Sequence, residues 1–127
     1  MKRTIIILAG LFFISVFLNE VKAQSAVYFF FFSGAYGFAF GLTGDEVLKK
    51  AKDACINFGG VEPRLIAFTG NSGYGAIALG KDEDGERVIG VAIGFSNLET
   101  AKSKAINACK EFGGLNPQIE DTFYDIK

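Results

Sequence analysis

The sequence predicts an α+β fold built from two pseudo-symmetric strand-strand-helix-strand repeats, a mainly antiparallel sheet with two helices packed on it. The first of three observations behind this is an internal match: Gly37-Phe38-Ala39-Phe40-Gly41 recurs as Gly90-Val91-Ala92-Ile93-Gly94 at a spacing of 53. The second is that Ala51, Ala54, Cys55, Phe58, Gly59 and Gly60 recur as Ala105, Ala108, Cys109, Phe112, Gly113 and Gly114 at a spacing of 54. The third is that both halves show the same order of strand, turn and helix patterns. Two copies are too few for an open solenoid, so they must close on each other. The repeats run over about 24–70 and 71–127 and form a single domain.

Each element follows from local pattern. Ala26 to Phe32 and Tyr74 to Leu79 read as first strands, Tyr36 to Gly41 and Val88 to Gly94 as second strands. Ser33-Gly34 joins them in one copy and Asp82-Glu83-Asp84-Gly85 in the other, both suited to tight hairpins. Asp45 to Phe58 carries apolar residues at helical spacing, with Asp45 and Glu46 favourably placed in the first turn. Glu99 to Phe112 repeats the pattern behind a cap at Ser96 or Asn97. Gly59-Gly60 and Gly113-Gly114 end the helices, and Pro63 and Pro117 follow where helix could not continue. Arg64 to Thr69 and Gln118 to Tyr124 are the third strands.

The strand glycines carry a packing argument. Alternation puts Gly37, Ala39 and Gly41 on one face, and likewise Gly90, Ala92 and Gly94. Glycine weakens a strand, so its recurrence in both copies implies that the following helix lies close against that face. A phosphate-cradling loop would need its glycines between strand and helix, whereas these lie within the strand. The run Phe29 to Phe32 puts aromatics on both faces, as in a central strand covered on both sides.

Met1 to Ala23 reads as a cleavable signal peptide. Lys2 and Arg3 precede an apolar run from Ile5 to Leu18, with small residues before the junction. That run would span only about 21 Å as a helix, against about 30 Å of membrane core, so no stable membrane span is expected after processing. The expected location is periplasmic or extracellular. Of 13 basic and 14 acidic residues, Lys2, Arg3, Lys22 and Glu20 lie in this leader, so the remainder carries a net charge of −3. With its lysines dispersed, that remainder has no basic patch for nucleic acid.

Chemistry-bearing residues are few. There is no histidine, which removes the usual nucleophile triads and most zinc and copper sites. Cys55 and Cys109 occupy equivalent positions, and export leaves two alternatives: a bridge between the copies across a two-fold axis, or two buried thiols. Asp82 to Glu86 lacks the ligand spacing of a calcium loop and reads as a hairpin tip. Gly70-Asn71-Ser72-Gly73 reads as a turn between copies, and Tyr28, Tyr36, Tyr74 and Tyr124 as core or rim residues. Glu120 with Asp121 or Asp125 is the one carboxylate grouping on which a small hydrolase would rest. No catalytic residue, metal site or cofactor is expected.

The doubled Gly-x-Ala-x-Gly strand, followed by a helix ending Ala-Cys-x-x-Phe-Gly-Gly, resembles the bacterial family known as domain of unknown function 4189. The likeness extends from about Tyr28 to Gly114. It implies a small exported protein of this fold and brings no catalytic residue with it. Copies in that family usually place an aromatic, often Trp, beside the strand glycine and add cysteines after the helix; this chain has no Trp, with Tyr36, Phe38, Ile89 and Val91 near the aromatic positions, and no Cys from Glu62 to Leu65 to pair with Cys55. The expected function is a non-enzymatic, protein-binding module of the cell envelope or medium. Its contacts would come from the hairpin tips, Ser33 to Ala35 and Lys81 to Arg87, or from the Asn71 to Gly73 loop. The alternatives are an acid-residue hydrolase and a component that self-associates through the phenylalanine strand.

Overall fold

Two antiparallel sheets lie face to face, and each carries a helix on its outer side. The computed structural model describes residues 24–126, so the signal-peptide reading of Met1 to Ala23 lies outside the described residues. The first copy comprises β1 (Gln24–Phe30), β2 (Ala35–Leu42), α1 (Gly44–Asn57) and β3 (Arg64–Thr69). The second comprises β4 (Gly73–Lys81), β5 (Arg87–Phe95), α2 (Leu98–Glu111) and β6 (Leu115–Asp125). The α+β class and the two strand-strand-helix-strand units are those read from the sequence. Each copy, however, closes its own three-stranded sheet, in the order β2-β1-β3 and β5-β4-β6. All four pairings are antiparallel.

Alternation along the strands divides the core into layers. Ala26 and Ala39 turn outward onto Val47 and Ala51 of α1, while Ala76, Ala78 and Ala92 turn outward onto Ala101, Ala105 and Cys109 of α2. Val27, Phe29, Ile77 and Ile89 turn inward and fill the space between the sheets. Each sheet therefore buries both faces, small residues under its helix and large ones against the other sheet. The sheets meet along two rims, where β2 faces β6 and β3 faces β5.

The glycines have two separate causes. A Cβ on Gly37 would stand 2.2 Å from the Cys55 nitrogen and 2.4 Å from the Ala51 oxygen. On Gly90 it would stand 2.1 Å from the Ala105 oxygen and 2.3 Å from the Cys109 nitrogen. Helix backbone thus rests on strand backbone in both copies, and no side chain larger than hydrogen fits between them. Gly41 and Gly94 are present for a different reason. Each is the extra residue of a β-bulge, between Phe40 and Leu42 in one copy and beside Ile93 in the other, with φ of +76° and +83°. The atoms nearest a Cβ built on either belong to Asp125 for Gly41 and to Thr69 and Asn71 for Gly94, not to a helix.

The helix ends are also duplicated. The Gly60 amide donates to the Cys55 carbonyl and the Gly114 amide to the Cys109 carbonyl, each at 2.9 Å, with Gly59 and Gly113 in the left-handed region. Asn97 caps α2, its Oδ1 accepting from the Thr100 amide. Thr43 precedes α1 without a side-chain bond, and Asp45 and Glu46 in the first turn complement the helix dipole instead. β6 extends past the expected Gln118–Tyr124, taking in Pro117, which an edge strand tolerates.

One strand ends earlier than its sequence indicates. β1 stops at Phe30, and Phe31, Phe32, Ser33 and Gly34 form the turn, closed by the Gly34 amide on the Phe30 carbonyl at 2.9 Å. Only Phe29 of the four phenylalanines is fully buried, while Phe31 and Phe32 are 56% and 93% exposed. The expectation of a covered four-phenylalanine strand is corrected accordingly. The helix and the facing sheet cover β1 only as far as Phe30, and the chain then turns to reach β2.

Candidate functional site

Both hairpin tips and both helix C-termini gather at one end of the sandwich. Arg87, opening β5, donates from Nη1 to the Gly34 carbonyl of the opposite tip at 2.8 Å. Ser33 donates to the Gly59 carbonyl behind α1 at 3.3 Å. Phe58 and Phe112, equivalent residues closing the two helices, are 75% and 73% exposed there. With Phe31 and Phe32 they give this end four solvent-facing phenylalanines drawn from both copies. Asp82, Glu83, Asp84 and Glu86 stand in the neighbouring tip, so the same end is strongly acidic. The Asn71 to Gly73 loop lies at the opposite end, with Asn71 beside Gly94.

The acidic tip is organised by its own backbone. Asp82 Oδ1 accepts the amides of Asp84 and Glu86, each at 2.9 Å, and Gly85 takes a φ of +81°. Among the described residues no cluster of three or more potential metal ligands forms.

Cys55 and Cys109 are both free thiols, so the bridge between the copies is not formed. Each cysteine lies beneath its own helix, and the two sheets stand between the helices. The pseudo-two-fold brings β2 to β6 and β5 to β3 instead of bringing helix to helix. Cys55 Sγ donates to the Ala35 carbonyl at 3.5 Å, and Cys109 Sγ to the equivalent Val88 carbonyl at 3.4 Å. Burial raises both thiols above their ordinary range, which leaves them inert as nucleophiles.

Of the three acids of the hydrolase reading, Asp125 stands apart, while Glu120 and Asp121 both lie near Tyr36. Asp125 is 1% exposed and accepts the Ser25 hydroxyl at 3.0 Å. Burial lifts its carboxyl above the usual range, against the opposing pull of the Ser25 hydroxyl and the Gly41 amide. Asp121 lies four residues earlier on β6, about 13 Å away along a strand, with Phe123 between them. Paired glycosidase carboxylates stand about 5–9.5 Å apart. Glu120 is the extra residue of a bulge opposite Ile77 and Ala78.

A cavity of about 450 Å³ opens at the β2 edge, walled by Tyr36, Phe38, Phe58, Arg87 and Asp121 together with small residues of β2 and α1. The Tyr36 hydroxyl donates to Asp121 Oδ2. Burial, reinforced by the adjacent Asp121 carboxylate, drives the phenol far above its ordinary range, and the nearby Arg87 opposes this only in part. Tyr36 thus holds its proton and fixes Asp121. In the sequence Tyr36 reads as a core or rim residue and Asp121 as one member of an acid group, and their pairing is not directly visible there. The signal was present in the repeat, since the positions equivalent to Tyr36 and Asp121 are Ile89 and Ala67.

No family model, curated protein or solved structure matches this chain.

Proposed function

We propose that this protein is a non-enzymatic binding module of the bacterial cell envelope or medium that engages another protein through its hairpin-tip end. The observation that carries the reading is the group of exposed phenylalanines at that end, Phe31, Phe32, Phe58 and Phe112. A fold with space to bury side chains on four layers has no internal need for them there, and exposed apolar patches of this kind mark contact surfaces. The acidic tip beside them disfavours self-association through this end, because a second copy would bring Asp82, Glu83, Asp84 and Glu86 against their like. A partner bearing apolar and basic groups meets both features.

Kinship with domain of unknown function 4189 and export through the Met1 to Ala23 leader belong to the same proposal. Amino-terminal sequencing of protein recovered outside the cytoplasm is expected to begin at Gln24. For the binding reading, a photo-crosslinking phenylalanine analogue at position 32 in the producing cell is expected to yield one recurrent adduct. That adduct disappears when Phe31, Phe58 and Phe112 are changed to Ser. Adducts that are scattered, or that contain only this chain, would sink the reading.

A further inference from the structure

The pseudo-two-fold supplies an internal control for the cavity beside Tyr36. The equivalent cavity on the other rim, about 350 Å³, is walled by Phe31, Leu65, Ile66, Ile89 and Phe112, together with Arg87 and the tip residues Asp82 and Glu86. In that rim Ile89 and Ala67 occupy the places of Tyr36 and Asp121, so the two strands meet there without a hydroxyl–carboxylate pair between them, and the charges beside that cavity come from Arg87 and the hairpin tip. Fold maintenance therefore does not account for Tyr36 and Asp121. Polar groups that the architecture does not require are most often kept for a site.

We propose that the cavity beside Tyr36 binds a small amphoteric molecule with an apolar body, of which an α-amino acid with an apolar side chain is the simplest member. Three observations set this class. Asp121 meets Tyr36 with Oδ2, which leaves Oδ1 to accept from a ligand ammonium. Arg87 uses Nη1 on the Gly34 carbonyl and makes no ion pair within the described residues, so further N–H groups are left for a ligand carboxylate. Phe38, Phe58, Ala35 and Ala54 supply the apolar wall. A ligand that is only an anion meets repulsion from Asp121, and one that is only a cation meets repulsion from Arg87. A molecule carrying both charges satisfies the two groups together, and the volume lies in the range of small-ligand sites. Tyr36 is a positioning residue here, since its hydroxyl orients Asp121 and keeps its proton.

Isothermal titration of the purified protein decides the matter with three probes of one shape: L-phenylalanine, phenylpropionate and phenethylamine. L-phenylalanine is expected to bind one-to-one, and each singly charged analogue about tenfold more weakly or worse, as the loss of one charge-assisted contact dictates. Asp121→Asn should remove the advantage over phenylpropionate while keeping the advantage over phenethylamine, and Arg87→Gln should do the reverse. Leu65→Ala in the other rim should leave all three affinities unchanged. Failure of both L-phenylalanine and L-leucine to bind overturns the proposal, as does equal binding of the three probes or a full advantage surviving in both variants. If a variant loses its circular dichroism signature, the order of the three probes on the unmodified protein decides alone. The protein-binding reading stands or falls separately, since it rests on the exposed phenylalanines and not on Asp121.

Discussion

The rim where β2 meets β6 and the rim where β5 meets β3 are one place in the fold built twice, and they are furnished differently. The first is aromatic: Phe38 and Phe40 stack on Phe123 with ring centroids 5.3 and 4.8 Å apart, and Tyr36 with Asp121 closes its end. The second is aliphatic, with Ile89, Val91 and Ile93 on β5 and Ala67 and Thr69 on β3. The backbone hardly registers the exchange. Bulges fall at Gly41 and Gly94 and again at Ile66 and Glu120, equivalent places in the two copies. The tightest contacts between each helix and its sheet, by contrast, are kept: Gly37, Ala51 and Cys55 repeat as Gly90, Ala105 and Cys109, while Val47 beside them becomes Ala101. The difference teaches where this architecture is constrained. Backbone lying on backbone tolerates no substitution, whereas the rims accept aromatic, aliphatic or polar contents and are free to acquire a site.

The equivalence of the helix–strand contacts is the part most easily broken. Gly37→Ala and Gly90→Ala each force a methyl into helix backbone, and each is expected to cost at least about 3 kcal/mol in denaturant unfolding, with the two losses similar. A variant that folds with little loss would show that one copy does not pack as the other does. Next in size is the cysteine pair. Replacing either Cys55 or Cys109 by Ala is expected to cost about 1–2 kcal/mol, equally in both copies, as a small buried group is lost. Thiol titration should find both groups free in denatured, unreduced protein and neither reactive in the native state.

The rims are tested by transplantation. The double variant Tyr36→Ile with Asp121→Ala copies the Ile89 and Ala67 pairing into the polar rim, and its stability should stay within about 1 kcal/mol of the parent, since both partners leave together. Tyr36→Phe alone strands Asp121 and should cost more than the double variant. A double variant that unfolds would make the polar couple structural.

The smallest effect is a pH dependence at Asp125. Its carboxyl is raised in the fold, so its stabilising contribution is fully present below its unfolded value, about 3.9, and is lost as pH rises through the higher folded value. Asp125→Asn removes that loss. The stability of the variant relative to the parent should therefore increase from pH about 4 toward neutrality, by thermal unfolding across the acidic range. A gap that is flat or shrinks with pH would mean that Asp125 does not carry the buried charge.

Much of the fold was legible because its signals are local. Gly59-Gly60 and Gly113-Gly114 mark helix ends by a left-handed conformation that needs no distant partner, and the spacing of Ala51, Cys55, Ala105 and Cys109 marks the buried stripe of each helix. Arg64 to Thr69 was bounded correctly because Pro63 and Gly70 flank it. The end of β1 was not legible. Phe31 and Phe32 have strong strand character, and only the reach of the covering helix decides that they leave the sheet. The cysteines misled for a related reason: equivalence under a two-fold places two residues near each other only if the axis passes between them. The Tyr36 and Asp121 pairing joins residues 85 positions apart and depends on which rims meet.

The sequence alone determined that two like units exist, which segments become strands and helices, and that a helix must touch Gly37 and Gly90, because periodicity, turn chemistry and the missing Cβ act over a few residues. Tertiary structure decided that each unit closes its own sheet, that the helices lie outermost with their thiols apart, and that four phenylalanines share one exposed end with an acidic tip. Those outcomes follow from how two twisted sheets bury their large inward side chains against each other, and that balance is struck only when both halves are present.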